Sequence, residues 1–169
     1  GFLLKNDVSP FDAINDIYSN TRLYATECAT AIVIIYYKAI ADIYPADLFN
    51  NIFRVIYLMN WSRLDRNLGI NTYRNLMDYL PGDCRYFNNP DVDPLTPEWQ
   101  GENAIDLSGG MYYGHGIGIK TADKIIEILN HNRIQDSTTS AYLMDMATRP
   151  GFMHLSFIYN KFQQTLPGE

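Results

Sequence analysis

Cysteine and histidine are scarce in this sequence, with two cysteines (Cys28 and Cys84) and three histidines in 169 residues. Two cysteines make no disulfide framework. The histidines at 115, 131 and 154 do not fall at zinc-ligand spacing from each other or from the cysteines. Thirteen lysines and arginines are present, but no two are adjacent. That excludes a phosphate-tracking surface, and with it a nucleic-acid partner. The formal net charge of −6 weakly favours basic partners, such as lysine-bearing proteins. Long apolar runs are also missing. The longest uncharged one, Cys28 to Tyr37, is ten residues, about half of what a membrane span needs. The opening "GFLLKNDVSP" has a short apolar patch followed by charges and lacks both an initiator Met and the build of a signal peptide. The chain therefore reads as a piece cut from something longer.

Apolar residues make up 47% of the chain and aromatics 14%, enough for a folded core. The length predicts one domain over 1–169. "SPFDAINDIYSN" predicts a short helix capped by Ser9 with Pro10 first. Thr26 is the expected N-cap of a buried helix over about Glu27 to Ile43. Pro45 opens a third, "PADLFNNIFRVIYLMNW", with Leu48, Phe49, Ile52, Phe53 and Ile56 on one face. "PGDCRYFNNP" reads as a turn and a short strand, with Cys84 in the core. "WQGENAIDLSGGMYYGHGIGIK" reads as two strands joined at Ser108-Gly109-Gly110. Thr121 caps a helix bearing Ile125, Ile126 and Leu129, "STTSAYLMDMAT" reads as another helix, and "MHLSFIYNKF" as a strand. Helices, then strands, then helices predict an α+β fold with a small antiparallel sheet.

Three groups in this frame can carry chemistry. Cys28 falls in the first turn of a helix, where the dipole favours thiolate. His115 is placed on a hairpin strand, and Glu102 on the strand before it. If the turn centres on Gly109, facing residue numbers add to about 218, which sets Glu102 opposite Gly116 and beside His115. Whether both side chains share a face depends on the register, which the sequence leaves open. Nucleophile, base and orienting acid are the parts of covalent acyl transfer, and a Cys followed by a β-hairpin His is the papain-like order. Plainer readings stand beside this one: Cys28 as a packed helix residue, His115 as a structural strand histidine, Glu102 as a solvated strand residue. Glu27 cuts both ways. Its charge opposes a thiolate at Cys28, yet neighbours on a helix face apart, and it is also a potential second proton carrier.

The words "ECATAIVIIYY", "GDCRYFNNPDVDP", "WQGEN", "HGIGI" and "SAYLMDMATR", in this order, closely resemble the small spore-coat protein-glutamine γ-glutamyltransferases of bacilli. The likeness runs from about Ser9 to Arg149. It is weak between about Asp42 and Pro81 and departs after Pro150. More distantly the chain is similar to NlpC/P60 hydrolases, with their helix-start Cys, "PGD" strand and His strand. The resemblance implies a papain-like core, with a nucleophile helix packed on a small antiparallel sheet, and acyl transfer without cofactor or calcium. It implies Cys28 as nucleophile, Glu102 as its main partner, Glu27 as a partly redundant one, and His115 beside the cysteine with a rank level with Glu102. The implied partners are proteins with accessible glutamine and lysine. The implied place is a spore coat, or alternatively delivery as a domain of a larger effector. Three competing readings are a glutamine deamidase using water as acceptor, an amidase or protease, and a structural domain with an inert Cys28.

Overall fold

Ser9 and Pro10 start the first helix, α1 (Pro10–Ser19), as their order predicts. The Ser9 hydroxyl accepts the Asp12 N–H at 3.1 Å, and proline at the first position surrenders an N–H that lacks a helical partner anyway. The computed structural model describes residues 1–166. The chain divides into two units, one of residues 1–71 with the stretch from Pro150 onward, the other Thr72–Arg149.

In the first unit a two-stranded antiparallel ribbon joins β1 (Phe2–Leu3) to β2 (Tyr57–Leu58), with Phe2 facing Leu58. Helix α2 (Cys28–Ala41) is apolar on nearly every side, and ten of its fourteen residues are buried, as befits a central core helix. Tyr37 packs edge-on against Phe49 and Phe53, the latter with ring centroids 5.3 Å apart. Helix α3 (Ala46–Ile52) is shorter than the sequence predicts. Phe53 leaves helical geometry (φ −107, ψ 63), and the β-branched and aromatic run Val55-Ile56-Tyr57 prefers extended backbone. It takes that form here, since Leu4 donates to the Ile56 carbonyl at 2.9 Å. Leu48, Phe49, Phe53 and Ile56 are all buried, with Ile56 coming from extended chain and not from the helix.

The second unit is built on an antiparallel sheet. Its strands are β3 (Asn71–Arg74), β4 (Cys84–Asn88), β5 (Gly101–Asp106), β6 (Met111–Gly114) and β7 (Gly118–Thr121). Helix α4 (Ala122–Asn130) follows, then β8 (Tyr142–Leu143) and β9 (Met146–Arg149). The spatial order is β3-β9-β4-β5-β6-β7, with β8 also on β4. Gly109 and Gly110 take positive φ (59 and 75) in the turn between β5 and β6, which glycine allows without strain. Facing residues there are Ala104–Gly114, Ile105–Tyr113 and Asp106–Tyr112, the register the sequence predicts. The second expected strand is in fact two: Gly116 and Gly118 also take positive φ (85 and 79), and the chain reverses again into β7. His115 therefore lies in the β6–β7 turn and not on a strand. Helix α4 matches expectation, with the Thr121 hydroxyl accepting from the Lys124 N–H and Ile125 and Leu129 buried. They join Phe87, Ala104, Tyr112 and Ala141 in one apolar cluster.

Two expectations fail near the C-terminus. The stretch 140–148 is not helical, because β4 has an edge to fill: Leu143 faces Phe87 and Thr148 faces Cys84. The buried Arg85 draws on the same stretch, donating to the Met144 and Met146 carbonyls at 3.2 and 2.9 Å. A helix would keep those acceptors for itself. The tail, read as a strand, is α5 (Phe152–Gln163). Its Leu155, Ile158, Tyr159 and Phe162 pack on the first unit's core, a spacing of three and four that only a helix brings to one face. Among the described residues, no helix is long and apolar enough to cross a membrane.

Candidate active site

Cys28 is the first residue of α2 and is half-buried. The cap before it is Glu27, not Thr26. Glu27 is extended (φ −85, ψ 169), and its carboxylate accepts the Ala29 N–H at 2.6 Å and the Thr30 N–H at 2.8 Å. The Thr30 hydroxyl donates to the same Glu27 Oε1. Thr26 uses its hydroxyl on the Glu27 carbonyl instead, at 3.3 Å. Glutamate is an uncommon cap, but its longer arm reaches the second and third N–H groups. A carboxylate there also meets the positive end of the helix dipole. Glu27 therefore turns onto the helix start. Its Oε1 has two donors, which fill its two lone-pair directions.

The segment entering α2 is held as well. The Tyr24 hydroxyl donates to Asp16 of α1, and the Asn20 amide donates to it at 2.6 Å. These two bonds hold the Asp16 carboxyl below the usual carboxylate range. The three residues between Tyr24 and Cys28 thus leave a pinned tyrosine.

Glu102 and His115 belong to the second unit. Glu102 lies on β5 opposite Phe87 of β4 and is 6% exposed. On its other side the β5–β6 ladder ends at Ala104–Gly114, two residues short of Glu102. The residue that makes room for it is Gly114. A Cβ there would stand 2.9 Å from Glu102 Oε1, closer than real Cβ atoms approach, and 3.2 Å from its Cγ, tighter than most. His115 is the next residue along, at the start of the turn. The contact that the structure shows is between Glu102 and Gly114, the residue before His115.

Cys84 is 3% exposed, and its thiol donates to Asn103 Oδ1 at 3.6 Å, a core residue as expected. Among the described residues, no cluster of three or more His, Cys, Asp or Glu could hold a metal. Sequence reasoning missed Thr30 and Gly114. Thr30 could have been found as a hydroxyl three residues after an acidic cap, a capping box written backwards. Gly114 leaves no such sign, since its work is to be empty.

The family described as Protein-glutamine gamma-glutamyltransferase matches residues 1–159 of this chain. A protein-glutamine gamma-glutamyltransferase of Bacillus mycoides (strain KBAB4) is 48% identical over 149 residues, covering 88% of this chain and 53% of that protein. Its counterpart in Bacillus cereus (strain B4264) is 46% identical with the same coverage. Among solved structures, a transglutaminase from Geobacillus stearothermophilus, without its C-terminal extension, superposes with a TM-score of 0.87 at 53% identity. That match covers 94% of this chain and 74% of the other. The chain spans about half the length of the curated relatives it matches.

Proposed function

The chain belongs to the protein-glutamine gamma-glutamyltransferase family, and from that premise we propose that it moves the γ-acyl group of a protein glutamine onto a lysine amine. The observation that carries the proposal is Cys28 at the first position of α2, where the peptide dipoles favour a thiolate and a developing oxyanion alike. In the proposed reaction the Cys28 thiolate attacks the γ-amide carbon. The C–N bond breaks, and ammonia leaves with a proton from Glu102 or His115. The amine of a lysine then attacks the thioester and gives its proton to the same group. The thiolate departs and an isopeptide bond remains. Since Glu27 takes the N–H groups of Ala29 and Thr30, the helix's contribution to the oxyanion is assigned to the N–H of Cys28. The acid-base work is assigned to Glu102 and His115, with Glu27 as a partly redundant partner.

The test is mass spectrometry of a glutamine-rich protein incubated with the chain, with and without a small primary amine. Amine found on glutamine supports the proposal. Glutamine turned to glutamate with amine present would mean that water is the acceptor. Glu102→Gln is expected to slow amine incorporation by about 10²- to 10⁴-fold, the usual worth of a proton carrier. If only His115→Ala is damaging, the proton role belongs to the imidazole alone.

Gly114→Ala tests the same carboxylate indirectly. The backbone at Gly114 is not left-handed, so alanine is strained only by the contact with Glu102. The expected result is a kcat lowered about tenfold or more by displacement of the carboxylate, with a melting temperature within a few degrees of wild type. Steady-state kinetics alongside a thermal melt checks both halves.

A further inference from the structure

We propose that Thr30 is a positioning residue for Cys28, holding the first turn of α2 through a hydroxyl that bridges Glu27 and Asn60. A threonine inside a helix ordinarily returns its hydroxyl to a carbonyl of the preceding turn or turns it to water. Thr30 does neither. It is 4% exposed, it donates to Glu27 Oε1, and it accepts the Asn60 N–H at 2.7 Å. Asn60 is shaped to make that bond. It takes a left-handed backbone (φ 42), and its side-chain oxygen accepts the Ser62 N–H at 2.9 Å and the Ser62 hydroxyl at 2.8 Å. Asparagine tolerates that backbone better than most residues because its side chain closes the turn itself.

Asn60 follows β2, which β1 anchors. A continuous path therefore runs from the ribbon through the Asn60 N–H, the Thr30 hydroxyl and the Glu27 carboxylate to the turn bearing Cys28. One consequence follows for Cys28: the turn is fixed from outside the helix, where helix ends otherwise fray. The outside tether is a backbone N–H, presented by a left-handed turn that asparagine favours.

This inference rests on Cys28 being the nucleophile, and the experiment keeps the two apart. Thr30→Val keeps the shape and removes both bonds, Thr30→Ser keeps both bonds, and Thr30→Ala serves as a second deletion should valine fail to fold. Each is assayed for kcat and KM of amine incorporation, for Cys28 alkylation by iodoacetamide followed by peptide mass spectrometry, and for melting temperature. The expected result is a kcat about 10- to 100-fold lower in the valine or alanine variant, with KM nearly unchanged, slower alkylation of Cys28, and recovery of both rates in serine. Three outcomes overturn the proposal: wild-type rates in a folded valine or alanine variant, no recovery in serine, or loss of folding in both deletions. If wild type incorporates no amine while the alkylation differences hold, the functional reading fails and the positioning role stands.

Discussion

Cys28→Ala is expected to abolish amine incorporation outright while the protein melts within a few degrees of wild type. A nucleophile that forms the covalent intermediate has no substitute. Deleting such a residue costs on the order of 10⁶-fold in kcat, and what remains comes from binding and charge stabilisation alone. The fold should be indifferent to the change. Cys28 is half-buried at the first helical position, where one sulfur atom contributes little packing. Alanine is the best helix former, and the cap that starts α2 is made by Glu27 with Ala29 and Thr30. Mass spectrometry of the glutamine-rich substrate together with a thermal melt checks both parts. A wild-type rate in this variant would remove Cys28 from the reaction.

Asp83→Ala should instead damage the fold. Asp83 is fully buried, and its carboxylate meets the Arg149 guanidinium through Oδ1–Nε and Oδ2–Nη2, both at 2.7 Å. Oδ2 also accepts the Leu80 N–H at 2.8 Å. Alanine leaves a largely buried guanidinium without its counter-ion and a backbone N–H without its acceptor. Breaking one side of such a pair costs about 3–5 kcal/mol, a large share of the 5–15 kcal/mol that a typical domain has in all. The expected reading is an unfolding free energy lowered by that amount, seen as a urea midpoint lowered by that amount divided by m, with the m-value unchanged. Removing both partners (Asp83→Leu with Arg149→Met) should cost less than Asp83→Ala alone, since no orphan charge remains. Equal or greater loss in the double variant would mean that the residues contribute through packing and not as a pair.

Local signals were legible. Ser9-Pro10 and Thr121 mark helix starts because a cap and its first turn are neighbours in sequence. The Ser108-Gly109-Gly110 turn sets the β5–β6 register because two strands joined by so short a link have few ways to align. That register sets Ala104, Ile105 and Asp106 opposite Gly114, Tyr113 and Tyr112. The failures share a cause as well. The segments 140–148 and 152–163 each have apolar residues that fit either period locally, and partners far along the chain chose between them. Arg85 and the β4 edge hold the first extended; the apolar core of the first unit takes the second as a helix.

What the sequence determined by itself is the chemistry available: one helix-start cysteine, an acid beside it, a second acid and a histidine on one hairpin, and family words in their order. What the tertiary structure alone decided is the use each polar group is put to. Glu27 closes the helix it precedes because two backbone N–H groups and the Thr30 hydroxyl lie within its reach. Thr30 could have been one more threonine, but a backbone N–H thirty residues away lands on it. Gly114 could have been any small strand residue, but a carboxylate from the neighbouring strand fills its space. Residue types and spacing are properties of the chain. Hydrogen-bond partners and excluded volume are properties of its folding, because they come from residues that only the fold makes adjacent.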